Sequence, residues 1–120
     1  SAEWEKAARG VDERYFPWGD SFDWLFTQGG NSKEGTSSPR DVGAFAKDES
    51  PYGARDMAGG VREWCEDGHE DAGQEHKISK GGAWSVLDED PFRAASRAWM
   101  GSLIVTPFMG FRLVRMPETP

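Results

Sequence analysis

The sequence has 120 residues and a formal net charge of −7. A chain of this length forms one domain with a modest core. Its acidity argues against nucleic acid or an anionic membrane surface as a general partner, because both bind basic faces. No apolar run approaches the roughly 20 residues that span a bilayer, so we expect no direct membrane insertion. The single cysteine, Cys65, excludes an intramolecular disulfide and a zinc site of clustered cysteines.

Glycines and prolines indicate an irregular, loop-rich fold. The 15 Gly and 7 Pro interrupt almost every stretch that could become a long helix or strand. In chain order, Ser1 to Arg9 predicts a short helix with Trp4 on its buried face and Gly10 as its C-terminal cap. Tyr15 to Asp20 predicts an extended aromatic segment that closes in a Pro-Trp-Gly turn. Ser21 to Asp41 predicts a hydrophobic patch followed by a polar surface loop.

The segment SPYGARDMAGGVREWCED, residues 50–67, is the one around which the chain is organised. Its proline and glycines predict a compact loop, which a strand-like piece from Val42 to Phe45 precedes. From Val61 onward the residues alternate in character, which predicts a strand. The carboxylates of Asp56 and Glu63 bracket the glycines, so both can meet backbone carbonyls around one hard cation. The segment is therefore a candidate calcium site.

The second half of the chain alternates between predicted strands and loops. Gly68 to Lys77 reads as a mobile acidic loop, and we favour a solvated loop over a metal site for its two histidines. Ile78 to Trp84 predicts a strand that runs through a double glycine. Arg93 to Arg97 predicts an extended segment whose arginines either pair with Asp56 or Glu63 or contact a substrate. A closing strand is expected from residue 111 to 115.

Five motifs stand in the order found in one known family. They are AEWEKAARG, YFPWGD, SPYGARDMAGGVREW, KGGAW, and RAASR followed by GFRLVR, and together they span nearly the whole chain. The sequence thus resembles the formylglycine-generating enzyme family, also called the sulfatase-modifying-factor family. The resemblance implies an α+β fold of C-type-lectin-like architecture with few short helices and strands. It also implies that residues 1–120 are the C-terminal portion of one such domain, whose N-terminal part is missing.

The resemblance does not extend to the family's oxidase chemistry. Formylglycine-generating enzymes oxidise a sulfatase cysteine with copper held by two cysteines shortly after the GG-aromatic motif. Here that region reads GGAWSVLDEDPFRAASR, where Val86 and a position around Pro91 are the nearest equivalents. The sulfoxide-synthase branch takes its iron ligands mainly from a separate helical domain, which this sequence lacks. An oxidoreductase that uses Cys65 remains an alternative, but we expect no enzyme activity.

The resemblance to family members that lack the cysteine pair implies a binding function. Many are fused to serine/threonine kinases in bacteria, and FDWLFTQGGNS and SPYGARDMAGGVREWC look like that branch. The resemblance therefore implies a ligand- or protein-binding module of a larger bacterial protein, either cytoplasmic or at the cell surface. Variable proteins of diversity-generating retroelements are the alternative, because the spacing from Ala83 to Gly110 is compatible with their changeable ligand surface. The sequence leaves both possibilities and the oligomeric state open.

For the metal, the resemblance implies structural calcium bound by two carboxylates and two backbone carbonyls. The four positions are Asp56, Gly59, Val61 and Glu63. The alternative is that Asp56 caps the glycine loop while Glu63 pairs with an arginine. Relatives have a second calcium site, for which Asn31 and Glu34 are the only side-chain candidates here, but the spacing favours a solvated loop.

The family's ligand cleft lies where the segments from Trp84 to Phe92 and from Trp99 to Val105 converge. The candidate ligand-binding residues are Trp84, Ser85, Val86, Asp88, Arg93, Arg97, Trp99, Met100 and Leu103. An exposed apolar patch beside the acidic turn at 88–90 suits a protein or peptide partner rather than nucleic acid. The alternative is that these apolar side chains fill a core completed by the missing N-terminal part.

Overall fold

The computed structural model describes residues 1–32 and 38–118, with only the backbone at Asp71. It contains an α-helix, α1 (Ala2–Arg9), a 3-10 helix (Asp90–Phe92) and a four-stranded sheet in the order β3-β2-β1-β4. The strands are β1 (Arg62–Asp71), β2 (Gln74–Lys80), β3 (Arg97–Gly101) and β4 (Met109–Gly110). Long irregular segments connect these elements, so the predicted loop-rich α+β class is confirmed. Among the described residues no helix is long and apolar enough to cross a membrane.

The first helix forms as predicted from its amphipathic pattern. Trp4 and Ala8 are buried in one core cluster with Met57 and Ile78. Gly10 ends the helix with a φ of 76°, a backbone conformation that glycine adopts without strain. The helix therefore packs its apolar face on the sheet and on the glycine loop.

The segment Gly68 to Lys77, predicted to be a mobile loop, is instead most of a β-hairpin. Strands β1 and β2 pair antiparallel up to Asp71 opposite Gln74. The two residues between them, Ala72 and Gly73, have φ values of 50° and 78°. Left-handed φ at both central positions is the signature of a type I′ turn, whose twist matches that of the flanking strands. The loop prediction was wrong because the turn signal is the weaker pair Ala-Gly.

Other predicted strands are shorter than expected or absent. Val42 and Gly43 form a turn and the next two residues have no regular structure, because Gly43 has a φ of 77° that interrupts an extended run. Strand β2 ends at Lys80, where Gly81 turns with a φ of 87°. Strand β4 pairs with β1 over two residues only, and residues 111–118 have no regular structure. The predicted closing strand was therefore wrong.

Two clusters form the core of the described chain. The first, between helix and sheet, contains Trp4, Ala8, Met57, Cys65, Ile78 and Ala94. The second is aromatic and contains Phe16, Ala58 and Phe92, with Trp18, Phe22, Trp24 and Val86 packed against it. Met57 and Ala58 belong to different clusters although they are adjacent. The glycine loop thus joins the two halves of the core.

Candidate functional site

The carboxylate of Glu63, at the start of β1, is the centre of a buried polar network. Its side chain is only 6% exposed. Glu63 Oε2 accepts hydrogen bonds from Trp4 Nε1 and Arg112 Nε, and Oε1 accepts one from Arg112 Nη2, each 2.7 Å long. Arg112 therefore binds the carboxylate through two nitrogens, the geometry in which arginine pairs best. Although burial opposes the charge, the hydrogen bond to Glu63 holds the pKa of Arg112 above its ordinary value.

Arg112 also anchors the glycine loop. Its Nη2 lies 2.9 Å from the backbone oxygen of Arg55 and 3.3 Å from that of Asp56. One guanidinium thus connects the C-terminal tail to the loop and to β1. We infer that this single side chain holds together three segments that are distant in sequence.

The arginines expected to make this contact lie elsewhere. Arg93 is exposed, lies with its guanidinium 4.9 Å from the ring centre of Tyr15, and pairs with Asp90 at 3.6 Å. Arg97 is exposed at the start of β3. The predicted pairing of these two with Asp56 or Glu63 was wrong. The GFRLVR motif contains the true partner, but its alternating pattern indicated only a strand.

Asp48 caps the glycine loop, a role that sequence reasoning missed. It is buried, and its carboxylate accepts hydrogen bonds from the backbone N–H groups of Ala58 (3.1 Å) and Gly59 (3.0 Å) and from the Thr27 hydroxyl (2.5 Å). Burial raises the pKa of Asp48 to about 6, against the opposing effect of these three donors. Its neighbours in the run Lys-Asp-Glu are exposed, so the sequence gives no local sign that this acid is buried.

The carboxylates predicted to bind calcium are close in sequence, but in this structure they accept hydrogen bonds from protein groups. Asp56 Oδ2 accepts a hydrogen bond from the backbone N–H of Gly43 at 2.6 Å. Both oxygens of Glu63 face Trp4 or Arg112. No group of three or more His, Cys, Asp or Glu side chains in the described part of the chain converges on a point that could hold a metal. As arranged here the carboxylates do not fit a calcium ion, and calcium binding stays a prediction that requires a cation to displace Arg112.

The second calcium position also stays a prediction. Asn31 is exposed, and Glu34 lies outside the described residues.

If calcium competes with Arg112 for the Glu63 carboxylate, removing Arg112 should increase the effect of calcium on the melting temperature. We expect millimolar calcium to raise the melting temperature of Arg112→Ala more than that of the wild type, because the variant presents the Glu63 carboxylate without a guanidinium. Thermal melts in calcium and in a chelator measure both shifts. The matched control is Arg112→Ala combined with Glu63→Gln, which should not respond. Equal melting temperatures with and without calcium in every variant would overturn the calcium prediction.

Of the two predicted ligand-binding segments, the first lies against the end of the sheet. The backbone N–H of Trp84 donates to the Gly60 carbonyl at 2.7 Å, and the indole Nε1–H donates to the Pro107 carbonyl at 3.1 Å. The Trp84 ring also packs on Phe108, with 5.2 Å between centroids. Trp84 is therefore half-buried and connects this segment to the chain just after Val105.

The remaining candidates of this segment divide by exposure. Val86 packs against the aromatic cluster, whereas Ser85 and Asp88 are exposed. Asp88 Oδ1 accepts a hydrogen bond from the Asp90 N–H at 3.2 Å. Ser85 and Asp88 are thus accessible to a partner, whereas Val86 contributes mainly to packing.

The second segment presents apolar side chains to solvent. Trp99 is 46% exposed, Leu103 93%, Ile104 44% and Val105 94%, and we call these four residues the apolar ridge. Met100 is half-buried. The ring of Trp99 packs nearly perpendicular to that of His69, with 4.4 Å between centroids. In the described structure the ridge is surface rather than core.

Cys65 is poorly placed for redox chemistry. It is buried in the first core cluster. Burial raises the pKa of its thiol, which disfavours the thiolate that acts as nucleophile and metal ligand.

Sequence comparison matches the chain to a family model and to proteins of two kinds. The model of the sulfatase-modifying factor enzyme 1-like domain matches residues 1–117. The inactive C-alpha-formylglycine-generating enzyme 2 of Mus musculus is 33% identical over 91 residues, which cover 68% of this chain and 29% of that protein. The serine/threonine-protein kinase pkn1 of Chlamydia caviae is 30% identical over 131 residues, covering 95% of this chain and 20% of the kinase. The chain thus spans less than a third of either relative.

Solved structures of low sequence identity share the fold. Treponema denticola variable protein 1 superposes with a TM-score of 0.76 at 24% identity, covering 92% of this chain and 44% of that one. CarF gives a TM-score of 0.75 at 24% identity, covering 98% and 45% respectively. These matches confirm the C-type-lectin-like architecture that the motifs implied. The matching family model and the shared fold together show that the chain belongs to the sulfatase-modifying factor enzyme 1-like domain family.

Proposed function

We propose that this domain is a non-catalytic module that binds a protein or peptide through the apolar ridge. The observation that carries the proposal is the exposure of Trp99, Leu103 and Val105 on one connected segment. Exposed apolar side chains that cluster in this way are typical of binding surfaces, and tryptophan is enriched among the residues that dominate binding energy. The function needs no reactive group, which agrees with the missing cysteine pair.

Backbone contacts give the ridge a defined shape. The Ser102 N–H donates to the Glu75 carbonyl at 2.9 Å, and the Ile104 N–H donates to the Gly101 carbonyl at 3.1 Å. Strand β3 pairs with β2 along its whole length, from Arg97 to Gly101. A surface ordered before binding loses less conformational entropy when a partner docks, so a preformed ridge favours recognition.

The charge of the domain favours a particular partner. The chain carries a net charge of −7. Apolar anchors on an acidic domain suit a partner with apolar side chains and a basic rim, because complementary charge speeds association. Nucleic acid is disfavoured, and the similarity to the Chlamydia kinase supports placing the module in a larger signalling protein.

A double substitution in the ridge tests the proposal. Trp99→Ser with Leu103→Ser should abolish capture of the partner, while the protein stays folded with only a modest drop in melting temperature, because Leu103 is 93% and Trp99 46% exposed. Quantitative pull-down from the native host, with the captured protein identified and rebound in purified form, measures the first effect. Circular dichroism melts measure the second.

The control replaces two exposed apolar side chains that lie elsewhere. Val11 and Val42 are 85% and 92% exposed. The Val11→Ser, Val42→Ser variant should retain the partner. An unfolded ridge variant would favour the core alternative, and a folded one that still binds would refute the ridge as the binding site.

A variable-ligand function is the second candidate. It is supported by the structural likeness to Treponema denticola variable protein 1, which concerns the fold alone. The ridge and Trp84 both lie between Ala83 and Gly110, the span that a changeable surface would occupy. Sequencing copies of the gene from related isolates discriminates the two, because variation confined to that span favours a variable protein.

A further inference from the structure

The β1–β2 hairpin places its two histidines directly opposite each other. His69 and His76 are register partners, their ring centroids lie 5.4 Å apart, and the ring planes differ by 14°. Two imidazoles on one tetrahedral ion have centroids roughly 5 Å apart, because each ligating nitrogen lies about 2 Å from the metal. The rings are stacked, so their in-plane lone pairs do not yet converge, but the spacing allows one ion to bind both once the His69 side chain turns, without backbone movement.

Neighbouring groups contact both rings and orient that of His76. His76 Nδ1 lies 3.2 Å from the Gln74 carbonyl oxygen. A carbonyl can only accept, so Nδ1 carries the hydrogen and Nε2 of the neutral ring presents its lone pair. A backbone carbonyl on the second nitrogen is the usual support of a metal-binding histidine. The His69 ring packs against that of Trp99, with 4.4 Å between centroids.

We propose that His69 and His76 bind one divalent transition-metal ion of the zinc, nickel or copper class. Imidazole nitrogen suits these ions, whereas calcium and magnesium require oxygen ligands. Within the described residues no third His, Cys, Asp or Glu completes the set. The remaining coordination positions are therefore open to water or to a donor from another molecule.

The surroundings of the pair favour a cation. Glu70 and Glu75 are also register partners, one position further toward the turn. Their carboxylates lie on the opposite face, because side chains alternate along a strand, and Glu75 pairs with Lys77 at 3.0 Å. Glu70 therefore adds negative potential without occupying the site. The site is independent of the binding function proposed above, although Trp99 lies beside both.

Titration with nickel alone tests the site in tag-free protein. At about pH 7.5, calorimetry should show one Ni²⁺ bound per chain. His69→Gln and His76→Gln should each weaken binding at least about tenfold, because each removes one of two protein ligands. Glu70→Gln is the matched control and should retain binding within a few fold.

Tryptophan fluorescence provides a second readout that reports position. Paramagnetic Ni²⁺ beside Trp99 should quench part of the emission, since Trp99 is one of six tryptophans. Trp99→Phe should lose that quenching while calorimetry still records binding. No heat of binding with the wild type, or unchanged affinity in the two histidine variants, would overturn the proposal.

Discussion

Replacing Arg112 with alanine should lower the free energy of unfolding by about 3 kcal/mol, the low end of the range found when one partner of a buried ion pair is removed, because Arg112 is itself 32% exposed. The variant leaves the Glu63 carboxylate, 6% exposed, with only the Trp4 N–H as a donor. It also removes the two hydrogen bonds that tie the tail to the glycine loop. Urea unfolding followed by circular dichroism measures the loss.

Two controls separate the ion pair from a general effect of the tail. Arg115 is exposed three residues further on, and Arg115→Ala should change the unfolding free energy by no more than about 0.5 kcal/mol. In a Glu63→Gln background, Arg112→Ala should cost much less than in the wild type, because the buried charge is already gone. An equal cost in both backgrounds would show that Arg112 does not act through Glu63.

The parts of the fold that the sequence predicted are those determined by neighbouring residues. Helix α1 follows from the spacing of its apolar residues and from Gly10. The Pro-Trp-Gly turn is confirmed by the paired hydrogen bonds between Phe16 and Gly19, 2.8 and 3.1 Å long. In both cases the signal lies within about ten residues, where propensity and capping operate.

The hairpin escaped prediction because its strands are exposed near the turn. Residues 66–70 and 72–75 are solvent-exposed and mostly polar, so they lack the alternation of a half-buried strand. Pairing between strands, together with the left-handed turn, determines their conformation instead. The histidine pair could not be recognised for the same reason, since two residues seven positions apart become neighbours only after the register is known.

The sequence named several residues of the candidate site but did not predict which of them contact one another. The motifs singled out Asp56, Gly59, Val61 and Glu63 as calcium ligands, which stays a prediction, and the structure places Glu63 at the centre of a buried polar network. Arg112 contacts Glu63 across 49 residues, and Asp48 contacts Thr27 across 21. No periodicity or spacing rule links positions so far apart, because tertiary packing selects those partners.

Replacing Asp48 with alanine should lower the free energy of unfolding by at least about 3 kcal/mol. The substitution leaves the Ala58 and Gly59 N–H groups and the Thr27 hydroxyl, all buried, without their acceptor. Each buried donor without a partner costs about 1–3 kcal/mol. Glu49 is the matched control, because it is exposed and its 3.9 Å contact with Arg55 is a surface ion pair, so Glu49→Ala should cost about 1 kcal/mol or less. Similar losses in the two variants would contradict a capping role for Asp48.

The ionisation of Asp48 predicts a pH dependence of opposite sign to that of most carboxylates. Burial raises its pKa from 3.8 to about 6, so the folded protein holds the Asp48 proton over a range where the unfolded chain has lost it. The protonated Asp48 side chain therefore makes its full contribution to the unfolding free energy below about pH 4. This contribution falls by up to about 3 kcal/mol as pH rises to about 6. Asp48→Asn cannot titrate, so the difference in unfolding free energy between wild type and variant isolates the effect. We expect the unfolding free energy of the wild type, measured relative to that of Asp48→Asn, to decrease between about pH 4 and about pH 6.5. If it grows instead, the three hydrogen bonds outweigh burial and stabilise the charged carboxylate.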